Sequence, residues 1–157
     1  MATKTNAVRL VQQAGIPCRE AFYEFDEHDL NGNHAAAAIG KPAEEVFKTL
    51  VARGERTGIN VFCIPVCCEL DLKKAAKAAG DKNMVMVPVK ELLGLTGYIR
   101  GGCSPVGMKK KYPTYFDETC QLYDEIAVSA GARGHQMLVP PEALAELVGA
   151  KLVDLTL

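Results

Sequence analysis

What this sequence lacks narrows its class first. No apolar run approaches the roughly 20 residues a membrane span needs, and residues 1–6 are polar, without the apolar stretch of a secretory signal. The chain is expected to stay in the cytoplasm. Charge of one sign is missing as well: the formal net charge is -1, so a nucleic-acid partner has to meet a local basic patch and cannot be held by overall electrostatics. No composition shift or linker divides the chain, and there is no internal repeat or low-complexity tract. Neither GxGxxG nor GxxxxGK[ST] occurs, which excludes the two common glycine-rich phosphate loops. The steady strand-helix alternation of a doubly wound parallel sheet is also missing.

What is present fits one domain spanning 1–157. At 157 residues, 48% apolar and 24% charged, the chain can bury a single core on folding. That core makes a disulfide framework unnecessary, so the six cysteines are expected as free thiols. Thr5 or Asn6 caps a first helix with Ala7, Leu10, Val11 and Ala14 on its apolar stripe, ended by Gly15 and Pro17. An aromatic strand is expected over 21–25, an acidic turn over 26–33 and a short helix over 34–39. Strands over 46–52 and 59–66, joined by a turn with Gly54 and Gly58, predict a hairpin. Asp71 caps a helix carrying Leu72, Ala75, Ala76 and Ala79, closed by Gly80. A strand over 84–87, a helix over 89–95, and strands over 114–117, 125–129 and 136–139 follow. Pro140 or Pro141 opens a last helix with Leu144, Leu147 and Val148 on one face, before a strand over 151–155. The sum is a mixed α+β fold with a partly barrel-like mixed sheet flanked by helices.

Two features carry chemistry. Alternation along a strand puts Lys48 on a face with Val46 and Leu50, and Phe47, Thr49 and Val51 on the other. A lysine among apolar neighbours reaches water along its stem, pairs with a carboxylate, or waits in a cavity for an anionic or carbonyl ligand. The run Gly101-Gly102-Cys103-Ser104-Pro105-Val106-Gly107 is either a plain turn between strands or a loop whose backbone N–H groups face an oxygen that gains negative charge. One such donor lowers an acyl-transfer barrier by roughly 3 to 4 kcal/mol. Ser104 has no histidine near it in sequence, so no Ser/His/Asp set is evident. Cys63, Cys67 and Cys68 form CxxxCC on a strand, a poor tetrahedral geometry without a second ligand pair, and no metal is expected. His28 with Asp26, Glu27 and Asp29 reads as an acid–base cluster or as a solvated acidic loop. Lys109, Lys110 and Lys111 are the one dense basic run, suited to nucleic-acid phosphates or to a soluble turn.

Together these pieces resemble a known family. Val46-Phe47-Lys48-Thr49-Leu50-Val51, then Leu70-Asp71-Leu72-Lys73-Lys74-Ala75-Ala76-Lys77-Ala78-Ala79-Gly80, then Thr96-Gly97-Tyr98 through Gly107 with Lys109-Lys110, and finally Ser129-Ala130-Gly131-Ala132-Arg133-Gly134, are similar to the YbaK/EbsC family. Its members are free-standing relatives of the editing domain inserted in bacterial prolyl-tRNA synthetases. The resemblance spans nearly the whole chain and implies the fold of that domain and deacylation of mischarged tRNA, without a cofactor. The expected substrate is cysteinyl-tRNA(Pro), with alanyl-tRNA(Pro) as the family's other common target; a non-catalytic module that binds tRNA or a synthetase is the rival reading. It assigns Lys48, Gly101, Gly102 and Ser104 to catalysis. Tyr23 (or Phe25), Phe47, Thr49, Cys103, Pro105, Gly107 and Gln136 are assigned to substrate binding, and Lys109, Lys110 and Lys111 to tRNA. Cys103 stands where an apolar residue is common, which implies packing. Gln136 stands where some members carry aspartate, which removes a carboxylate base there. The nucleophile implied is a water, a ribose hydroxyl or the substrate's own thiol, and prolyl-tRNA synthetase is the expected partner.

Overall fold

Capping residues mark out the helices in the computed structural model, which describes residues 4–157; the first three residues, part of the polar start noted above, lie outside it. Thr5 accepts from the Val8 N–H to open α1 (Asn6–Gln13). Asn31 caps α2 (Gly32–Ile39) and Asp71 caps α3 (Leu72–Ala79). Prolines precede α4 (Val89–Thr96) and open α5 (Pro141–Val148). Where a helix must end in a left-handed residue, glycine stands there: Gly40, Gly80, Gly97 and Gly149. Short 3-10 turns at Ala43–Glu45 and Glu118–Leu122 were not foreseen from the sequence.

The strands are β1 (Arg19–Phe22), β2 (Phe47–Gly54), β3 (Gly58–Pro65), β4 (Met84–Met86), β5 (Thr114–Asp117), β6 (Ile126–Ala132), β7 (His135–Val139) and β8 (Lys151–Val153). They form two sheets, one ordered β1-β7-β6 and the other β4-β2-β3-β5-β8. The fold is mixed α+β as expected, but its sheet is divided and does not close into a barrel. A parallel bridge, Val46 to Ala127, joins the two sheets. The expected β2–β3 hairpin is antiparallel, with Lys48 opposite Ile64 and Thr49 opposite Cys63. Its turn is clamped by Asp81, whose carboxylate accepts from the N–H groups of Arg56 and Thr57 and from the Thr57 hydroxyl, the last two at 2.8 Å.

Two apolar layers hold the five-stranded sheet. On one face Phe47, Cys63 and Phe116 pack with Ile126, Val128 and Met137 of the other sheet, and α1 and α5 complete that core with Ala7, Val8, Val11 and Leu144. On the other face Phe62, Ile64 and Tyr115 meet Ala75 and Ala76 of α3. Each fully buried large side chain contributes about 1.5–3 kcal/mol relative to exposure. Leu147, placed on the apolar face of α5 by spacing, is exposed. The strand expected over 21–25 is shifted toward the N-terminus, because its partner β7 begins at His135, opposite Phe22. Past Tyr23, whose N–H donates to the Gly134 carbonyl, the chain has no neighbouring strand and turns away.

Candidate functional site

Strand β2 pairs with β3 along its whole length, whereas on its other side β4 pairs with it only at Ala52, Arg53 and Gly54, and the bridge to β6 is made by Val46, the residue before the strand. The edge between is open, and a cleft of about 780 Å³ lies along it. Residues of both faces of the strand, Phe47, Lys48, Thr49, Leu50 and Val51, line that cleft, as expected when a cleft follows an edge rather than a face. Val46 accepts from the Val66 N–H toward β3, and Val51 accepts from the Val87 N–H on the opposite side. Alternation between these two points turns the Thr49 N–H and C=O toward the cleft.

The half-buried Lys48 makes no ion pair and no side-chain hydrogen bond among the described residues. In the same cleft, the β6–β7 ladder sets Ser129 against Gln136, both 93% or more buried and both in the wall. Ser129 Oγ accepts from the Gly131 N–H at 3.1 Å, but Gln136 Oε1 is buried with no partner. An orphaned buried acceptor costs about 1–3 kcal/mol. The wall also takes in His28, Asp29, Leu30 and Asn31 of the 26–33 segment, together with Tyr23, Glu69 and Arg100. Sequence reasoning took this segment as a solvated loop or an acid–base cluster, and it did not single out Glu69 or Arg100.

The glycine loop divides. Gly101 and Cys103 line the cleft; Gly102, Ser104, Pro105 and Gly107 do not. The Gly102 N–H donates to the Ile99 carbonyl at 3.0 Å, and Ser104 Oγ, fully buried, accepts from the Val106 N–H at 3.2 Å. Gly102 packs so closely on the 132–133 backbone that a Cβ would lie 3.1 Å from Ala132 C and Arg133 N. Gly107, at φ 78, leaves room for Tyr98, whose hydroxyl donates to the Val106 carbonyl. Pro105 is buried beside Ser104. These four residues therefore brace the loop, and the cleft receives Gly101 and the buried Cys103, whose thiol burial pushes up to about 12.

Of the other predicted residues, Tyr23, Phe47, Thr49 and Gln136 come together with Lys48 around the cleft. Phe25 lies outside its lining, in a smaller pocket beside it. Phe47 is a core residue that shows the cleft only part of its surface, at 2% exposure. Lys109, Lys110 and Lys111 are exposed and lie outside the cleft lining. The stem of Lys109 packs against Gly97. Cys63 points into the core beside Thr49, away from Cys67 and Cys68, which line the cleft. No helix among the described residues is long and apolar enough to cross a membrane.

The chain matches the family model of the aminoacyl-tRNA editing domain over residues 32–147. It is 46% identical over 153 residues to EbsC of Enterococcus faecalis, a protein named with a provisional Cys-tRNA(Pro)/Cys-tRNA(Cys) deacylase assignment, and that match covers 98% of this chain and 93% of the other. It is 26% identical over 129 residues to the uncharacterized protein YwhH of Bacillus subtilis, covering 82% of each. A solved structure described as a candidate trans-editing enzyme for prolyl tRNA synthetase superposes with a TM-score of 0.81 at 28% identity, covering 99% of both chains.

Proposed function

This chain belongs to the aminoacyl-tRNA editing domain family, and from that membership we propose that it is a free-standing deacylase that hydrolyses mischarged tRNA, with cysteinyl-tRNA(Pro) as substrate. The observation that carries the reading is Lys48, an unpaired ammonium on an open strand edge in a cleft that also holds an unpartnered Gln136 oxygen. The buried Gln136 oxygen is costly to keep unless something in the cleft donates to it.

An aminoacyl ester is already activated, so holding its carbonyl and admitting a nucleophile is sufficient chemistry. The Lys48 ammonium, with the Thr49 N–H on the same edge, faces the carbonyl oxygen as it gains charge. Gln136 accepts from the α-ammonium group of the amino acid. The nucleophile comes from solvent or from the substrate, because the cleft presents no protein nucleophile with an adjacent base: Cys103 is held as a neutral thiol by burial, and the sulfurs of Cys67 and Cys68 contact only each other. Attack at the carbonyl carbon gives a tetrahedral oxyanion. Its collapse breaks the bond to the ribose oxygen of the terminal adenosine, which takes a proton and leaves as the free tRNA end. Gly101 and Cys103 form the wall against the aminoacyl group, while Gly102, Ser104, Pro105 and Gly107 keep that wall in place. Tyr23 and Arg100 face the nucleotide end, and Lys109, Lys110 and Lys111 meet phosphates further along the acceptor strand. With a net charge of -1, the tRNA body is gripped weakly, and docking on prolyl-tRNA synthetase in the cytoplasm supplies the remaining specificity.

The test is release of amino acid from cysteinyl-tRNA(Pro) and alanyl-tRNA(Pro) by the wild type and by Lys48→Ala. Release from the cysteinyl substrate, reduced about 100- to 1,000-fold in the variant, is the expected result. Faster release of alanine reassigns the substrate, and release from neither, with tRNA still bound, turns the reading to a non-catalytic module. A titration in which prolyl-tRNA synthetase leaves the apparent tRNA affinity unchanged removes the docking step.

A further inference from the structure

The cysteines of this chain fall into distinct environments. All six are free. Burial pushes the thiols of Cys63 and Cys103 up to about 12 and that of Cys120 up to about 11, which closes them to thiolate chemistry at neutral pH. Cys18 is half-buried, outside the cleft lining, and its thiol is raised by burial and by Glu20. Cys67 alone is exposed, and its sulfur lies 3.8 Å from that of Cys68.

Their place in the fold gives this pair a consequence. They sit in a turn closed by the Cys68 N–H on the Pro65 carbonyl at 3.0 Å. Pro65 is the last residue of β3, opposite Phe47, and the preceding Ile64 is opposite Lys48. The turn therefore emerges at the Lys48 end of the open edge, and both cysteines line the cleft there. Burial and the Cys67 neighbour raise the Cys68 thiol, while the Lys48 charge acts in the opposite sense.

We propose that Cys67 and Cys68 form a thiol-modification site for low-molecular-weight disulfides, in which a mixed disulfide on Cys67 covers Lys48 and closes the cleft until a reductant reopens it. Cys67 loses its proton to solvent, and the thiolate attacks one sulfur of the disulfide RSSR. The Cys67–sulfur bond forms as the R–S–S–R bond breaks. The departing RS⁻ takes up a proton and leaves as RSH, so one protein thiol is oxidised and one half of the disulfide is reduced. Attack by Cys68 on the adduct would close a ring between neighbours whose Cα atoms are about 3.8 Å apart across a trans peptide, below the roughly 4.4–6.8 Å that disulfides adopt. The mixed disulfide is therefore the stable product, and external thiol removes it.

The proposal stands on the cleft and is independent of the reaction assigned to it. The full chain is treated with oxidised glutathione at about pH 8, where accessible thiols ionise, and the modified cysteines are mapped by peptide mass. Acylation of Lys48 by an amine-reactive ester is measured in parallel, before and after dithiothreitol. Expected are one adduct per chain at Cys67, formed about tenfold faster than at Cys18, and loss of Lys48 acylation that dithiothreitol restores. Cys67→Ser is expected to keep Lys48 acylation in the presence of oxidised glutathione. No adduct, first modification at Cys18, or an adduct at Cys67 that leaves Lys48 acylation unchanged would each overturn the proposal.

Discussion

The two walls of the cleft differ in how they treat their polar groups. In the glycine-loop wall the Gly102 N–H is met by Ile99, Ser104 Oγ by the Val106 N–H, and the Val106 carbonyl by Tyr98. In the wall made by β2 and β7, Lys48 has no partner among the described residues and Gln136 Oε1 is buried without one. The three bonds within the loop hold its shape. A buried acceptor left unmet is costly to the fold and is free to accept from whatever enters the cleft. Within the glycine-rich run, Gly102, Ser104 and Gly107 make contacts inside the protein while Gly101 and Cys103 line the cleft, whereas Lys48 and Gln136 keep polar groups free there.

Substitutions on each wall should separate the two jobs. Lys48→Ala is expected to give the largest loss, about 100- to 1,000-fold in amino-acid release, while its urea midpoint shifts by no more than about 0.5 kcal/mol equivalent, as for a surface change. Gly102→Ala should show the reverse pattern. Its new methyl meets the 132–133 backbone at 3.1 Å, and backbone gives way less readily than a side chain. We expect about 1–3 kcal/mol of lost stability, read by urea denaturation, with activity declining only as the loop shifts. Equal losses of activity and stability in both variants would erase the distinction between the walls.

How far this contrast was legible in the sequence depends on distance along the chain. Helix ends were readable because caps are local: Asp71 and Gly80 bracket α3 at the positions expected. The β2–β3 hairpin was readable from two apolar runs and a glycine turn. β1 was misplaced because Tyr23 and Phe25 look like strand residues, whereas its end is set by where β7 begins, more than 100 residues away. The division into two sheets, with β3, β5 and β8 running parallel, depends on crossovers that carry no local signal. At the candidate site, motif resemblance singled out Lys48 and the loop, but it could not tell that Ser104 turns inward while Asp29, Glu69 and Arg100 enter the cleft wall. Those placements come from the edge left open by a three-residue β4, a fact of topology rather than of any residue type.

A smaller effect is expected at Gln136. Replacing it with Leu removes the orphaned oxygen and keeps an apolar stem of similar reach, so stability should hold or rise. Substrate loses one acceptor, about 1 kcal/mol or fivefold in KM, with kcat little changed. A fall in kcat with KM constant would instead place Gln136 at the reacting carbonyl.

The smallest effect on activity is expected at Asp81, which clamps the far end of the same hairpin. Its carboxylate is held well below the usual range, first by the Thr57 N–H and also by the Thr57 hydroxyl and the N–H groups of Arg56 and Lys82, against a partial opposing effect of desolvation. A depressed folded pKa means that the group's contribution to stability is complete above its unfolded value of about 3.9 and is lost as pH falls through the lower folded value. The wild-type urea midpoint should therefore drop below about pH 4 by more than that of Asp81→Asn, which starts lower at neutral pH and titrates less. Amino-acid release at neutral pH should be the same in both, since the cleft begins beyond Ala52 and the clamp lies past Gly54. If Asp81→Asn slows release while its midpoint still leaves the chain folded, the hairpin transmits its turn geometry to Lys48, and the open edge is held in register from its far end rather than by the loop opposite.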